Sequence, residues 1–253
     1  MGRERATRHA PCATRHAPRA TRHARTCGHG SITRGGAPHA RVGRRGAAYC
    51  LCVNIPTEDY WNHNVHYQRV ILDAVPDGCR AAVDVGCGDG LLACKLAARC
   101  AAVTGIDRDE KMISVATERG HAIPAVSFVL ADFLAYPVED DSFDFACANT
   151  ALHHMDFGAT LVKMARILRP GGRLAVVGLA ANGSPADWVI GAAGIPANLW
   201  YKHARGEGDP GAPIMGPDMT WSQVRSAAAR LLPGARYRRH LLWRYSVIWV
   251  KPA

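Results

Sequence analysis

The stretch Val83 to Gly90, VDVGCGDG, limits the fold more than any other part of this chain of 253 residues. An apolar run, Ala81 to Val85, enters three glycines (Gly86, Gly88 and Gly90), and a helix-patterned segment follows from Leu91 to Arg99. Strand, tight glycine turn and helix in that order open a βαβ unit, and the glycines let backbone N–H groups approach a ligand closely. A lone acidic residue, Asp107, stands seventeen residues past the last glycine. A second parallel strand should end there, within reach of a ribose. The expected site holds a nucleoside-containing cofactor at the carboxyl edge of an α/β sheet.

The rest of the chain alternates in the same way. A helix is expected from Thr57 to Val75, capped by Thr57 or Asp59. Strands are read over 81–85, 102–106, 126–130, 143–148 and 173–179, and helices over 91–99, 109–119 and 158–168. Pro170-Gly171-Gly172 is read as the stop of the third of these helices. A helix over 221–232 leads into two β-rich runs, 236–242 and 243–250, whose short connection predicts an antiparallel hairpin at the sheet edge. The fold class is α/β, with a doubly wound, mostly parallel sheet and helices on both faces. Between 182 and 220 the regularity is interrupted by glycine and proline.

Charge separates the chain into two parts. The formal net charge is +10, yet residues 1–48 alone hold eleven arginines, no lysine and one acid, Glu4. Twenty basic and twenty acidic residues remain beyond them, so the expected domain is electrically balanced and offers no nucleic-acid footprint. The basic part repeats ATRHAP at 6–11 and 13–18 and ATRHA at 20–24, with proline and without an aliphatic seam. Residues 1–52 are therefore expected to be a disordered basic tail. It reads as a polyanion tether, a transit-type segment, or sequence upstream of the native start near Val42 or Val53. Residues 53–253 form the folded domain in this reading, and 48% apolar content is ample for its core.

No apolar run approaches the roughly 20 residues of a membrane span. No secretory signal is read at the amino terminus, and a cytoplasmic location with reduced thiols is expected. Of the nine cysteines, Cys87, Cys94, Cys100 and Cys147 fall in apparent strands and helices, where the residue behaves as a small apolar group. Cys50-x-Cys52, with Cys27 and His29 upstream, lacks a second pair at zinc-ligand spacing, so no metal is expected.

The glycine spacing carries chemical information. Gly-x-Gly-x-Gly departs from the dinucleotide pattern because its third glycine comes one residue early. A ligand with a thioether or sulfonium tail makes less demand on the helix N-terminus than a pyrophosphate does. VDVGCGDG, Asp107, ADF at 131–133, DDSFDFACANTALHHM at 140–155 and ILRPGGRLAVV at 167–177 together resemble the class I S-adenosylmethionine-dependent methyltransferases. The nearest group is the small-molecule "type 11" domain, and the likeness covers about residues 65 to 180.

That resemblance implies a seven-stranded sheet in the order 3-2-1-4-5-7-6, with the last strand antiparallel, and S-adenosyl-L-methionine as cofactor. It places Gly86, Cys87 and Gly88 against the methionine half, mostly through backbone groups, with Asp84 orienting the loop or reaching the amino group indirectly. Asp107 would accept from both ribose hydroxyls. Arg108 and Met112 would flank the adenine, Asp132 would accept from its amino group with Phe133 beside it, and Asn149 would face the reacting centre. His153 and His154, just past the fourth strand, are the candidate general base.

Methyl transfer from a sulfonium is an in-line displacement that needs a base only when the acceptor must lose a proton. The partner is expected to be a small, apolar or aromatic methyl acceptor. Trp188, Ile190, Leu199, Trp200, Tyr201 and Met215 would form an apolar lid from the 182–220 insertion. The alternatives are a non-catalytic binding protein of the same fold, a nucleotide-dependent oxidoreductase, or a nucleic-acid methyltransferase using the tail. The absence of an Asn/Asp-Pro-Pro-Tyr/Phe motif at Asn149-Thr150-Ala151-Leu152 argues against the last.

Overall fold

The computed structural model describes residues 60–208, 211 and 215–253. The expectations for the basic tail and the Cys50-x-Cys52 pair lie outside these residues, and the helix expected from Thr57 starts instead at His63, because Asn62 supplies its cap. The chain runs α1 (His63–Leu72), β1 (Ala81–Val85), α2 (Leu91–Leu96), β2 (Ala102–Asp107), α3 (Glu110–Gly120), β3 (Val126–Leu130) and β4 (Phe143–Asn149). A short 3-10 turn (Leu152–His154) then leads to α4 (Phe157–Ile167), β5 (Leu168–Gly178), α5 (Pro185–Ala192), α6 (Gly194–Arg205), α7 (Trp221–Leu231), β6 (Arg236–His240) and β7 (Arg244–Val250). The strands form one sheet in the order β3-β2-β1-β4-β5-β7-β6. β1 to β5 pair in parallel, and β7 runs antiparallel to both of its neighbours.

Strand periodicity divides the core into two layers. Val83, Val85, Ala146, Ala148, Leu174 and Val176 point to one face, where Leu161, Met164 and Ile167 of α4 and Trp221 and Val224 of α7 cover them. Ala82, Phe145, Cys147, Ala175 and Val177 point to the other, against Tyr67 and Ile71 of α1 and Leu92 and Leu96 of α2. Both faces are buried, so the central strands are near-continuous apolar runs rather than alternating ones. Each fully buried aliphatic side chain contributes about 1.5–3 kcal/mol.

Side chains fix the helix starts. Asn62 accepts from Val65 N, Asp109 from Met112 N and Asp156 from Ala159 N, while Ser184 and Thr220 head capping boxes closed by Asp187 and Gln223. Two further elements differ from the sequence expectation. The insertion contains two helices, α5 and α6, each with its own start, rather than irregular chain. Pro170-Gly171-Gly172 does not separate helix from strand: α4 passes directly into β5, and the segment is taken up as an irregularity between Phe143↔Leu168 and Phe145↔Arg173. Lys251 holds it from the side, with Gly171 N donating to Lys251 O and Lys251 N donating to Gly172 O, both at 2.9 Å.

At the edge of the sheet where β1 begins, Asp144 collects three donors. Its Oδ2 accepts from Arg80 N (2.8 Å) and Ala81 N (2.9 Å), and its Oδ1 from Arg169 Nη1 (2.8 Å). Asp144→Ala should cost about 2–4 kcal/mol by losing charge-assisted bonds to backbone. A urea denaturation midpoint measures the loss. Cofactor affinity should stay unchanged, because the loop carrying the glycines lies at the opposite ends of the strands.

Candidate active site

The glycine loop is tied down by the strand beside it. Gly86 N (2.8 Å) and Cys87 N (3.1 Å) both donate to Ile106 O. Gly88 N donates to Asp107 Oδ2 and Asp109 N to Asp107 Oδ1, each at 2.9 Å. Asp107 therefore couples the loop after β1 to the start of α3. Gly86 has φ +68°, and a Cβ there would stand 2.3 Å from the Ala151 Cβ. Gly88 has φ +52° and faces open space.

This arrangement corrects the expectation that loop N–H groups meet the ligand. The amides of Gly86, Cys87 and Gly88 are already spent on Ile106 and Asp107. The loop end of the cavity is instead lined by the carboxylates Asp84, Asp89 and Asp107. A pyrophosphate needs donors and would be repelled there, whereas a cationic group fits.

The cavity has a volume of about 870 Å³. Ten of the cofactor-binding and catalytic candidates line it: Asp84, Gly86, Cys87, Gly88, Asp107, Arg108, Met112, Asn149, His153 and His154. Asp132 and Phe133 line a smaller cavity of about 210 Å³, which shares Asp107, Arg108, His154 and Met155 with the first. Asp132 accepts from Leu134 N at 2.8 Å and so shapes the turn as well. Phe133 does not lay its ring open to a ligand. It is 1% exposed, packed in the core with the Lys163 ammonium 4.9 Å from its centre. Lys163 also donates to the carbonyls of Phe133, Leu134 and Tyr136, which pins this turn.

Among the described residues, seven buried side-chain nitrogen or oxygen atoms lack a hydrogen-bond partner. Four of them belong to residues lining the main cavity: Asp84 Oδ2, Asn149 Oδ1, Thr150 Oγ1 and His153 Nδ1. Buried polar groups are ordinarily satisfied, so their concentration here marks a surface built for a polar ligand. Thr150 adds backbone strain, with φ +60° in a β-branched residue at the end of β4.

Burial raises the Asp84 carboxyl to about 7, opposed by the Cys147 thiol on its Oδ1 (3.6 Å) and aided by Asp107 and Asp89. Burial, with Asp84 and Asp107 nearby, pushes the Cys87 thiol far up, so it stays protonated and is no nucleophile. Burial lowers His153 to about 4, helped by His154 and Arg244, and His154 is lowered by burial and Arg108. His153 is therefore neutral at physiological pH.

The lid expected from the insertion is built differently. Trp188, Ile190, Leu199 and Trp200 are 51–69% exposed and line no part of the cavity. Tyr201 stacks on Trp61 at 5.4 Å. Of the six residues, only Met215 reaches the cavity, with Glu207 and Gly208. The reason lies in α5 and α6, whose inward face is small. Trp243 Nε1 donates to Gly191 O (2.9 Å), and a Cβ at Gly194 would meet Leu241 O at 2.5 Å. The glycines seat the helices on the β6–β7 turn and leave their large apolar side chains outward.

Sequence reasoning missed several wall residues. Tyr60 donates to Asp89 Oδ2 (3.0 Å), which also pairs with Arg119 (2.9 Å). Asn64 O accepts from Asn149 Nδ2 (3.2 Å), and Asn64 Oδ1 accepts from Arg244 Nε (3.2 Å) and Nη2 (2.7 Å). Arg244 left a signal: it is the one charge inside the apolar run from Leu241 to Val250, LLWRYSVIWV.

Known proteins bear on the fold and site together. A family model described as "Methyltransferase domain" matches residues 83–176. An uncharacterised methyltransferase of Mycobacterium tuberculosis is 37% identical over 200 residues, covering 76% of this chain and 98% of that protein. The 27-O-demethylrifamycin SV methyltransferase of Amycolatopsis mediterranei is 40% identical over 109 residues, 41% of this chain and 40% of that one. In fold, the chain is similar to phosphoethanolamine N-methyltransferase 2 of Haemonchus contortus in complex with S-adenosyl-L-methionine. The TM-score is 0.54 at 16% identity, over 74% of this chain and 53% of that one. The geranyl diphosphate C-methyltransferase of Streptomyces coelicolor gives 0.55 at 12% identity, over 75% and 77%. The chain belongs to the methyltransferases that carry this domain, and its sheet has the strand order of the class I S-adenosylmethionine-dependent methyltransferase fold.

Asp84 yields a test with a definite sign. Its folded-state value lies above the unfolded 3.8, so its contribution to stability is complete below pH 3.8 and is lost as pH rises toward about 7. The full loss is at most about 4 kcal/mol. Asp84→Asn should therefore raise the melting temperature of the ligand-free protein more at pH 8 than at pH 4.

Proposed function

We propose that the chain transfers a methyl group from S-adenosyl-L-methionine to a small organic acceptor seated at the end of β4. The convergence of four partnerless polar atoms on one carboxylate-rimmed cavity carries this reading. Asp107 would hold the ribose while keeping the loop in place, since each of its oxygens has one lone-pair direction left after its backbone bond. Asp84 Oδ2 would face the cationic amino group, directly or through water. Arg108 and Met112 would flank the base, with Asp132 at its amino edge. The cofactor supplies a methyl group already activated by a positively charged sulfur.

The chain's own residues then have three tasks. The carboxylates Asp84 and Asp107 offset positive charge at the loop end. Asn149 and Thr150 orient the acceptor where β4 ends, and alignment supplies most of the acceleration. Val65, Met155, Leu179 and Met215 give that end an apolar wall, which fits an apolar or aromatic body and limits water. The small-molecule acceptor in the name of the Amycolatopsis relative supports the same class. Among the described residues no helix is long and apolar enough to cross a membrane.

His153 is the candidate base, with His154 at its side, ring centroids 4.0 Å apart. Neutral at pH 7, it can accept a proton, but a value of about 4 makes it a weak base suited to an acceptor that is already acidic.

Calorimetry should find S-adenosylhomocysteine bound and NAD not bound; binding of NAD alone would overturn the proposal. Asp107→Ala should weaken S-adenosylhomocysteine by about 10- to 100-fold, the scale of a lost charge-assisted hydrogen bond. Affinity should tighten as pH rises through about 7, where Asp84 ionises, and Asp84→Asn should flatten that rise. Turnover is tested by incubation with methyl-labelled S-adenosylmethionine and an extract of the host, followed by identification of the labelled product.

A further inference from the structure

Arg244 is a buried cation with no acid beside it among the described residues. It opens β7, at the same edge of the sheet as the end of β4, and is 9% exposed. Its Nε and Nη2 donate to Asn64 Oδ1, and its Nη1 donates to Trp243 O at 3.1 Å. Both partners are neutral. Among the described residues no carboxylate lies within ion-pair distance of it.

Of the acids that share its cavity, Asp84 lies in the strand before the glycine loop and makes no ion pair with Arg244, and the others are committed elsewhere. Glu207 pairs with Lys202 (2.6 Å) and Asp89 with Arg119 (2.9 Å). Asp107 holds two backbone amides, and Asp109 caps α3. Burial alone pulls the guanidinium down to about 10, and no carboxylate offsets it. A buried charge without a counter-charge costs several kcal/mol. A chain keeps one where a ligand supplies the missing partner.

The geometry around Arg244 says what that partner is. An arginine has five N–H groups, and three are used here, which leaves one on each Nη. Two N–H groups on neighbouring nitrogens form a fork suited to two oxygens of one anion. The side chain cannot turn away, because Asn64 holds it by two bonds. Asn64 also receives Asn149 Nδ2, so one residue joins the guanidinium to the end of β4. Thr150 Oγ1, buried and partnerless, is a further donor on the same cavity wall. His63 and His153 complete the surroundings; both line the cavity, and both are shifted toward the neutral form.

We propose that the methyl acceptor carries an oxyanion, a carboxylate or a phosphate, and that Arg244 with Thr150 binds it at the end of β4. The inference rests on the methyltransferase reading above and names the class of its second substrate. Arg244 is then a specificity residue. It fixes one end of the acceptor, and the apolar wall of Val65, Leu179 and Met155 takes the remainder.

The test uses small probes on the full chain saturated with S-adenosylhomocysteine. Benzoate and phenyl phosphate are titrated against benzamide, their neutral counterpart, by saturation-transfer NMR. At least one anion should bind about tenfold or more tightly than benzamide, and the one that does identifies carboxylate or phosphate. Arg244→Met should abolish that preference while binding S-adenosylhomocysteine as before, and Arg244→Lys should keep part of it. Equal binding of all three probes overturns the proposal. So does an anion preference that survives Arg244→Met. Weaker S-adenosylhomocysteine in Arg244→Met also overturns it, since the arginine would then serve the cofactor's own carboxylate. If Arg244→Met does not fold, the wild-type comparison and Thr150→Val carry the test, with Thr150→Val expected to weaken the preferred anion several-fold. Failure of the wild-type chain to bind S-adenosylhomocysteine would count against the methyltransferase reading instead.

Discussion

The site depends on what the end of β2 does to the loop after β1. Ile106 O takes two amides of the glycine turn, and Asp107 takes a third and then the first amide of the α3 cap. Four donors that would otherwise face a ligand are consumed by two consecutive residues. That single event sets the electrostatic sign of the cavity. With the amides withdrawn, Asp84, Asp89 and Asp107 dominate the loop end, a surface that suits a cationic group better than a phosphate. The opposite end, around Arg244, carries the opposite sign. One cavity therefore holds two charged ends with the end of β4 between them, an arrangement suited to bringing a cationic donor and an anionic acceptor together.

Much of the fold was legible in the sequence because a parallel sheet buried on both faces leaves continuous apolar runs between turn residues. Ala81–Val85 and Val126–Leu130 were readable to the residue. The insertion was not, since Gly191, Gly194 and Pro196 look like chain breakers when read locally. In the structure Gly191 and Gly194 are contact points that let α5 and α6 press on Trp243. The long β5 was misread for a similar reason: Pro170-Gly171-Gly172 is stop chemistry in isolation, but Lys251, eighty residues away, holds it in the sheet.

The candidate site was legible where it sits on the glycine loop and the strand ends, because topology alone puts those positions at one edge. It was not legible where a residue arrives from distant chain. Asn64, Thr150 and Arg244 come from the first helix, the tail of the fourth strand and the last strand. Nothing in local pattern says that they meet. A buried hydroxyl without a partner identifies Thr150, and the bonds between Asn64 and Arg244 identify the other two; both properties exist only after folding.

The third glycine of the loop has a role of its own. A Cβ at Gly90 would stand 2.7 Å from the Phe128 ring, and those at Gly105 and Gly120 would approach the same ring equally closely. Three glycines from three elements thus enclose one aromatic side chain of β3. This binds cofactor choice to a residue two strands away. Lengthening the loop to the dinucleotide spacing would carry its last glycine off the ring and bring a side chain onto it. An engineer seeking to convert this protein to a nicotinamide cofactor would have to redesign Phe128 first, before touching any residue that meets the ligand.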